Sequence, residues 1–413
     1  TDLGLTARKI PRTYREYRSD PNSHNWWSGM LREMAAHEEM GTWEPDGVTE
    51  ASVLARGKTI ITVKWVWDLK VDSLTNLVDL WKARLVGRGF EQSPDDFLEI
   101  YAGVVRYSTV RMVCAMAAMR GWECTCMDVC TAYLQAPLTG DVEMYMYIPE
   151  GFERFGPNGE RMVHRIRMAL NGLRQSANEW GAVLSSWLMG EVDVKAGAAK
   201  NSIIFARSGT DPQMFIHISD LGTIIVLVYV DDLLIFSSCP VLRATFAESI
   251  CARFKMKDLG RTIKALGMDF SQDLDGRFLK LCLKSYLVGV GERFSISPVE
   301  CLETPLTKAI VTQCEQAKPS EREISECIDF YSKATGVVIF AASTCRPECG
   351  FAAHFMSRFM HRPSSYHCKM ARRVLGYLVG TANFGVVYNG KSLGISGGLQ
   401  VEQDKDDFRV PIP

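Results

Sequence analysis

Apolar residues along this 413-residue chain switch between a helical and a strand period, and the switches mark out its elements. Over residues 25–40, Trp27, Met30, Leu31, Met34 and Ala35 recur at helical spacing and predict a helix that buries this stripe. Residues 60–69 and 81–90 are rich in β-branched and aromatic side chains with a polar stretch between them, which predicts paired strands. Residues 111–119 predict an apolar helix ended near Gly121, and 122–129 a strand that delivers Asp128 at its end. A helix over 174–188 would carry Trp180, Leu184 and Trp187 on one side. Residues 215–218 and 223–229 read as a hairpin about Asp220-Leu221-Gly222, with a returning strand at 233–236. Helices over 240–254 and 283–294 flank a short strand at 277–282. The last helix, 365–379, has Ser364 or Ser365 as cap, an apolar face of Met370, Val374, Leu375 and Leu378, and Gly380 as its stop. Lys369, Arg372 and Arg373 would share its outer side.

Composition adds bounds to this picture. A chain of this length with 47% hydrophobic and 23% charged residues is expected to fold into roughly two or three globular domains. It opens on Thr1, as expected of a piece cut from a longer precursor, and residues 1–23, with Arg8, Lys9, Arg12, Arg15 and Arg18, read as a loose arm. The net charge of −1, from 47 basic and 48 acidic residues, excludes a uniformly basic nucleic-acid binder. Residues 349–401 nevertheless contain no Asp or Glu while carrying Arg358, Arg362, Lys369, Arg372, Arg373 and Lys391. Such a stretch either attracts phosphate or is a solvated basic face. The 13 cysteines and 7 histidines form no metal-ligand spacing, and the cysteines read as reduced, mostly buried thiols. The apolar run 224–229 is far too short to span a bilayer and no signal peptide opens the chain, so neither secretion nor membrane insertion is expected.

The candidate chemistry lies in acids set among apolar residues. Asp231 and Asp232 interrupt 224–236, a run that otherwise reads as two buried strands. Adjacent charges there are costly through desolvation and mutual repulsion. An ordinary solvated turn is the plain alternative, although hairpin turns usually place Gly or Asn beside an acid. Divalent cations would neutralise the pair, and hard cations take oxygen ligands from more than one segment. Asp128, in Met127-Asp128-Val129-Cys130-Thr131-Ala132-Tyr133, is the third acid.

That segment resembles the first catalytic motif of copia-type reverse transcriptases, and Tyr229-Val230-Asp231-Asp232 resembles their Tyr-X-Asp-Asp turn. Other blocks match the same family in the same order. They are the fingers strand at 82–92, the block at 142–152, Gly172-Leu173-Arg174-Gln175 followed by Trp180, the primer-contacting region at 254–267, Thr304-Pro305-Leu306, and 357–378. Together they cover residues 20–388.

The resemblance implies an α+β right-hand polymerase. Fingers and an antiparallel palm would interleave over 24–258, a helical thumb would occupy 259–310 and a connection-like segment 311–390, with a tail at 391–413. The implied activity is that of an RNA-directed DNA polymerase, which transfers nucleotides from dNTPs to a primer 3′-hydroxyl on an RNA or DNA template. Asp128 and Asp231 would bridge two Mg²⁺ ions (Mn²⁺ is the alternative), with Asp232 helping to position them. Lys82 and Arg84 would contact the triphosphate; as plain residues they are solvent-facing charges on a strand. Tyr133 stands where the family carries an aromatic gate against the ribose 2′-hydroxyl, its plain alternative being a core aromatic. Gln175 would line the template and nucleotide pocket. Tyr229, Leu266 and Gly267 would meet the primer, and Lys369, Arg372 and Arg373 would track the template–primer backbone. Other parts of a Pol polyprotein are implied partners, and the implied compartment is a cytoplasmic virus-like particle or the nucleus.

Some positions depart from the family. Gly103 stands where Pro is usual, Asn171 replaces an aromatic residue, and Ala177 and Asn178 stand where Pro and Arg are usual. These changes favour a rival reading, a relic that binds nucleic acid through its basic C-terminal segment without synthesis. A second rival, another two-metal enzyme such as a nuclease or nucleotidyl cyclase, has no need of the fingers or primer blocks. A P-loop is excluded at 197–201, because Gly-Ala-Ala-Lys-Asn lacks the Gly-Lys-Ser/Thr that cradles phosphate. Residues 396–413 do not resemble a ribonuclease H domain, so that activity is not expected of this chain.

Overall fold

A computed structural model describes residues 10–44, 47–71, 78–97, 99–139, 143–190, 203–297 and 302–391. Arg8, Lys9, Val142, the 197–201 segment and the 396–413 stretch lie outside the described residues. Compactness divides the chain into two units. One unit comprises Thr1–Gly103, Val129–Ile204 and Ile250–Met256; the other comprises Val104–Asp128, Phe205–Ser249 and Lys257–Pro413.

In the first unit the paired strands are Val63–Val71 and Val78–Gly87, an antiparallel ribbon whose alternation sends Trp65, Trp67, Ala83 and Leu85 inward. The helix Ser23–Glu39 packs on this ribbon, but its buried stripe is Trp26, Gly29, Met30, Met34 and His37. Trp27 is only partly buried, and Leu31 and Ala35 are exposed, so the expected stripe is corrected by a rotation about the helix axis. The cause is Gly29: a Cβ there would lie 2.6 Å from the Trp81 carbonyl oxygen, so the closest approach follows the glycine, which carries no hydrophobic signal. The described part of the expected arm contains a short helix. Tyr14–Arg18 is helical with Thr13 as cap, and buried Tyr17 stacks on Trp67 at 5.7 Å. A small mixed sheet orders Val48–Thr49, Met162–Arg165, Tyr145–Tyr147 and Ile60–Ile61. The helix Ser176–Leu188 buries Trp180, Leu184 and Trp187 as its periodicity predicts, with both indoles edge-on to Phe254.

The second unit is built on a mainly antiparallel sheet ordered Met256–Arg261, Glu123–Val129, Asp232–Ser237, Gly222–Tyr229, Met214–Ser219 and Ala206–Arg207. Ile224–Val228 and Leu233–Phe236 are buried throughout, as two central strands should be. The helix Tyr107–Arg120 ends at Gly121, whose φ of 68° is the left-handed cap that glycine adopts freely. A second sheet orders Lys264–Ala265, Met268–Asp273, Phe278–Cys282 and Gly385–Asn389. The expected helical segment beginning at Leu259 is thus corrected: burial alternates with period two along Phe278–Cys282, and helix begins only at Lys284–Phe294. The helices Lys308–Gln316, Glu321–Thr344 and Gly350–Ser357 fill a stretch for which the pattern reading holds no element. One apolar core, running through Val110, Leu227, Phe236, Met268, Leu281, Val338 and Leu375, joins the helices to both sheets. Among the described residues the cysteines are free thiols, and no helix is long and apolar enough to cross a membrane.

Candidate active site

The three acids lie in the second unit, at the end of its central hairpin. The strands Gly222–Tyr229 and Asp232–Ser237 pair down to Tyr229↔Asp232, which leaves Val230 and Asp231 as a two-residue turn. Val230 has a φ of 55°, a region that a β-branched side chain occupies only under strain. The turn leaves Asp231 exposed. Asp232 is half-buried and pairs with Asp128, the penultimate residue of Glu123–Val129, in the neighbouring register. Side chains directly opposed in such a ladder share a face and sit close together. Burial, and then the Asp128 carboxylate, hold the Asp232 carboxyl above its usual range. The Cys126 thiol, two residues before Asp128, is pushed up to about 12 by burial and by the Asp232, Asp128 and Asp258 charges.

These acids are of the hard-oxygen kind that Mg²⁺ or Mn²⁺ takes, and their crowding is the cost that a cation relieves. Among the described residues no three His, Cys, Asp or Glu side chains close into a metal cage. Mg²⁺ is commonly held by one or two carboxylates together with substrate phosphates, so an open pair of strand-end acids fits that mode better than a protein-only shell.

Two residues around the turn carried no signal in the sequence. Tyr107, the first residue of its helix, lies beside Tyr229 with the rings 6.5 Å apart; burial and the neighbouring Tyr229 push its hydroxyl up to about 12. Asp211 is 3% exposed and accepts from the Arg106 amide at 3.0 Å and the Thr109 hydroxyl at 2.6 Å, so it serves as the start cap of a helix about 100 residues away in sequence. A loop aspartate followed by Pro212 gives no hint of that partner. Arg243 pairs with Asp258 and also donates to the Thr125 hydroxyl, which ties two strands and a helix beside the acids and lowers the Asp258 pKa.

Among the expected primer contacts, Leu266 and Gly267 do form a tight turn. Ala265 pairs with Met268, and the two residues between them have φ of 52° and 76°, the positive values a type I′ turn requires. The room beside Gly267 is taken by the protein itself, since a Cβ there would lie 3.1 Å from Phe340 Cζ. The expected basic triad lies on the helix Ser365–Gly380. Ser364 caps the helix Ser365–Gly380, and Lys369 and Arg372 are exposed over the Tyr366 and Phe330 rings. Arg373 is partly buried and donates to the Thr304 carbonyl. The acid-free stretch also meets acids from elsewhere, with Arg358 paired to Glu315 and Arg362 to Glu321.

The expected nucleotide contacts belong to the first unit. Lys82 and Arg84 share the outer face of the ribbon opposite Asp68 and Val66, with Lys64 and Lys70 on the same face. Burial, and then the Arg84 and Lys70 charges, lower the Lys82 pKa, as a crowded cationic face should. Tyr133 is half-buried in the short 3₁₀ turn Ala132–Gln135, entered through Thr131 at φ 53°. Gln175 is 4% exposed, bonded to Gln92 at 2.9 Å and to the Asp96 carbonyl at 3.1 Å. The amide thereby braces the loop that carries Asp96. Asn178, where the family has Arg, donates to the Tyr101 carbonyl.

Residues 50–308 match the family model described as reverse transcriptase (RNA-dependent DNA polymerase). The chain is 30% identical over 389 residues, 94% of its length, to the retrovirus-related Pol polyprotein from transposon TNT 1-94 of Nicotiana tabacum, of which it covers 28%. It is 28% identical over 98% of its length to the corresponding polyprotein from transposon RE1 of Arabidopsis thaliana, of which it covers 26%. A putative transposon Ty5-1 protein of Saccharomyces cerevisiae is 27% identical over 64% of this chain and 79% of its own length. The chain thus spans about a quarter of the two plant polyproteins. It belongs to the reverse transcriptase (RNA-dependent DNA polymerase) family, in the form carried by copia-type retrotransposon Pol polyproteins.

Proposed function

We propose that this chain extends a primer by template-directed nucleotidyl transfer, with Asp128, Asp231 and Asp232 as its catalytic acids. The observation that carries the reading is the opposition of Asp232 and Asp128 beside the turn that exposes Asp231. In the reaction the primer 3′-oxygen forms a bond to the α-phosphorus of a dNTP, the bond to the pyrophosphate oxygen breaks, and the hydroxyl proton leaves. Asp128, Asp231 and Asp232 are suited to hold two Mg²⁺ ions, or Mn²⁺ in their place. Bound there, the ions supply positive charge that lowers the pKa of the attacking hydroxyl and stabilises the leaving oxygen.

The other assignments belong to the same reading. Lys82 and Arg84 offer cations to the triphosphate, and Tyr133 offers a ring to exclude a ribose 2′-hydroxyl. The turn at Leu266 and Gly267 meets the primer backbone together with Tyr229. Lys369 and Arg372 are exposed cations for the template–primer phosphates. A right-hand layout of fingers, palm and thumb, an RNA or DNA template, other Pol segments as partners, and residence in a virus-like particle or the nucleus complete the proposal.

The test is primer extension on an RNA template with dNTPs and Mg²⁺, comparing wild type with Asp231→Asn. Extension by wild type alone supports the reading. If neither protein extends the primer while both bind template–primer, the rival holds: a nucleic-acid-binding relic, which the non-basic Asn178 favours.

A further inference from the structure

Within the second unit the acid turn and the Leu266-Gly267 turn are joined by a line of aromatic side chains. Tyr229 closes the hairpin opposite Asp232, and its phenol meets that of Tyr107. Tyr107 is itself well held. The Val105 amide just before it donates to the Val228 carbonyl at 3.0 Å, and Asp211 caps the start of its helix. Tyr107 also lies edge-on to Phe340 at 6.1 Å and 80°. Phe340, on the helix Glu321–Thr344, packs against Tyr286 at 4.8 Å and fills the space beside Gly267.

Two features call for such a support. A two-residue turn with a strained Val230 keeps its shape only where its surroundings over-determine it. A phenylalanine at position 107 would pack on Phe340 equally well, so the Tyr107 hydroxyl answers to Tyr229 rather than to the packing.

We propose that Tyr107 and Phe340 are positioning residues, which through Tyr229 and Gly267 set the turn bearing Asp231 against the Leu266-Gly267 turn. A primer end gripped at one turn then arrives in register with the acids of the other. This inference rests on the polymerase reading and adds to it the way in which the two turns are kept together.

The experiment uses the full chain and an RNA template annealed to a DNA primer, with kcat and KM for dNTP, template–primer Kd and melting temperature measured side by side. Tyr107→Phe removes the hydroxyl that lies beside Tyr229 and is expected to lower kcat by roughly three- to tenfold. Its KM and its template–primer Kd should stay close to wild type, with only a small fall in melting temperature, a split that a space-filling role would not give. Phe340→Leu is expected to lower kcat and to raise the template–primer Kd. If wild type extends the primer and kcat is unchanged in both variants, the inference is overturned and the polymerase reading stands. If wild type does not extend, the polymerase reading fails, and a thermal double-mutant cycle between Tyr107→Phe and Tyr229→Phe decides the rest. Additive losses overturn the contact, while non-additive losses uphold it as a brace of the hairpin.

Discussion

Asp232 lies directly opposite Asp128 in the ladder between Asp232–Ser237 and Glu123–Val129, one residue beyond the exposed Asp231. Two carboxylates are thereby held on one face of a sheet whose strands are otherwise apolar, an arrangement that folding alone would not favour. The consequences of that opposition can be measured.

Removing the Asp232 charge should stabilise the protein at neutral pH. Its folded pKa lies above the ordinary 3.8. A carboxyl raised in this way contributes stability that is fully present below the unfolded pKa and lost as pH rises through the folded value. Asp232→Asn is therefore expected to raise the melting temperature by a few degrees at pH 7, with the gain shrinking as pH falls toward 4. A gain that grows on acidification would contradict the sign.

Divalent cations should offset the same repulsion. Thermal melts with increasing Mg²⁺ are expected to show a rise in wild type, since a ligand of the native state stabilises it. The rise should be much smaller in Asp128→Asn and in Asp231→Asn. Equal rises in all three would place cation binding elsewhere.

Val230 holds a left-handed conformation that glycine adopts without strain. Val230→Gly should stabilise the folded state by about 1 kcal/mol in urea denaturation, the strain relieved being partly cancelled by the greater freedom of glycine when unfolded. Extension should nonetheless fall, because the turn loses the stiffness that aims Asp231. A destabilised Val230→Gly protein would argue against strain at this position.

Arg346 is fully buried, bonded to Glu348 at 2.5 Å and to the Thr381 carbonyl and hydroxyl at 3.1 and 2.5 Å, with Tyr377 and Phe384 beneath its guanidinium. Lysine cannot reproduce that planar fork. Arg346→Lys is expected to cost about 3 kcal/mol, the low end for a broken buried pair, because Glu348 is 39% exposed. A cost below about 1 kcal/mol in chemical denaturation would show that the pocket re-forms around the smaller cation.

The amino-acid sequence by itself determined most of the elements around the acids. The buried runs 224–228 and 233–236, the stop at Gly121 and the cap at Ser364 all follow from local pattern, because burial period and caps act over a few positions. It also singled out Asp128, Asp231 and Asp232, since charge amid apolar neighbours is visible without a fold.

Only the tertiary structure decided which residues meet. The opposition of Asp128 and Asp232, the capping of a remote helix by Asp211 and the meeting of Phe340 with Gly267 join residues about 70 to 105 positions apart, where sheet register and helix packing govern. The same level buried Gln175, bonded Arg373 to the Thr304 carbonyl and rotated the first long helix onto Gly29. In each case the competing demand was a backbone carbonyl or a close packing contact, and neither leaves a periodic trace in the chain.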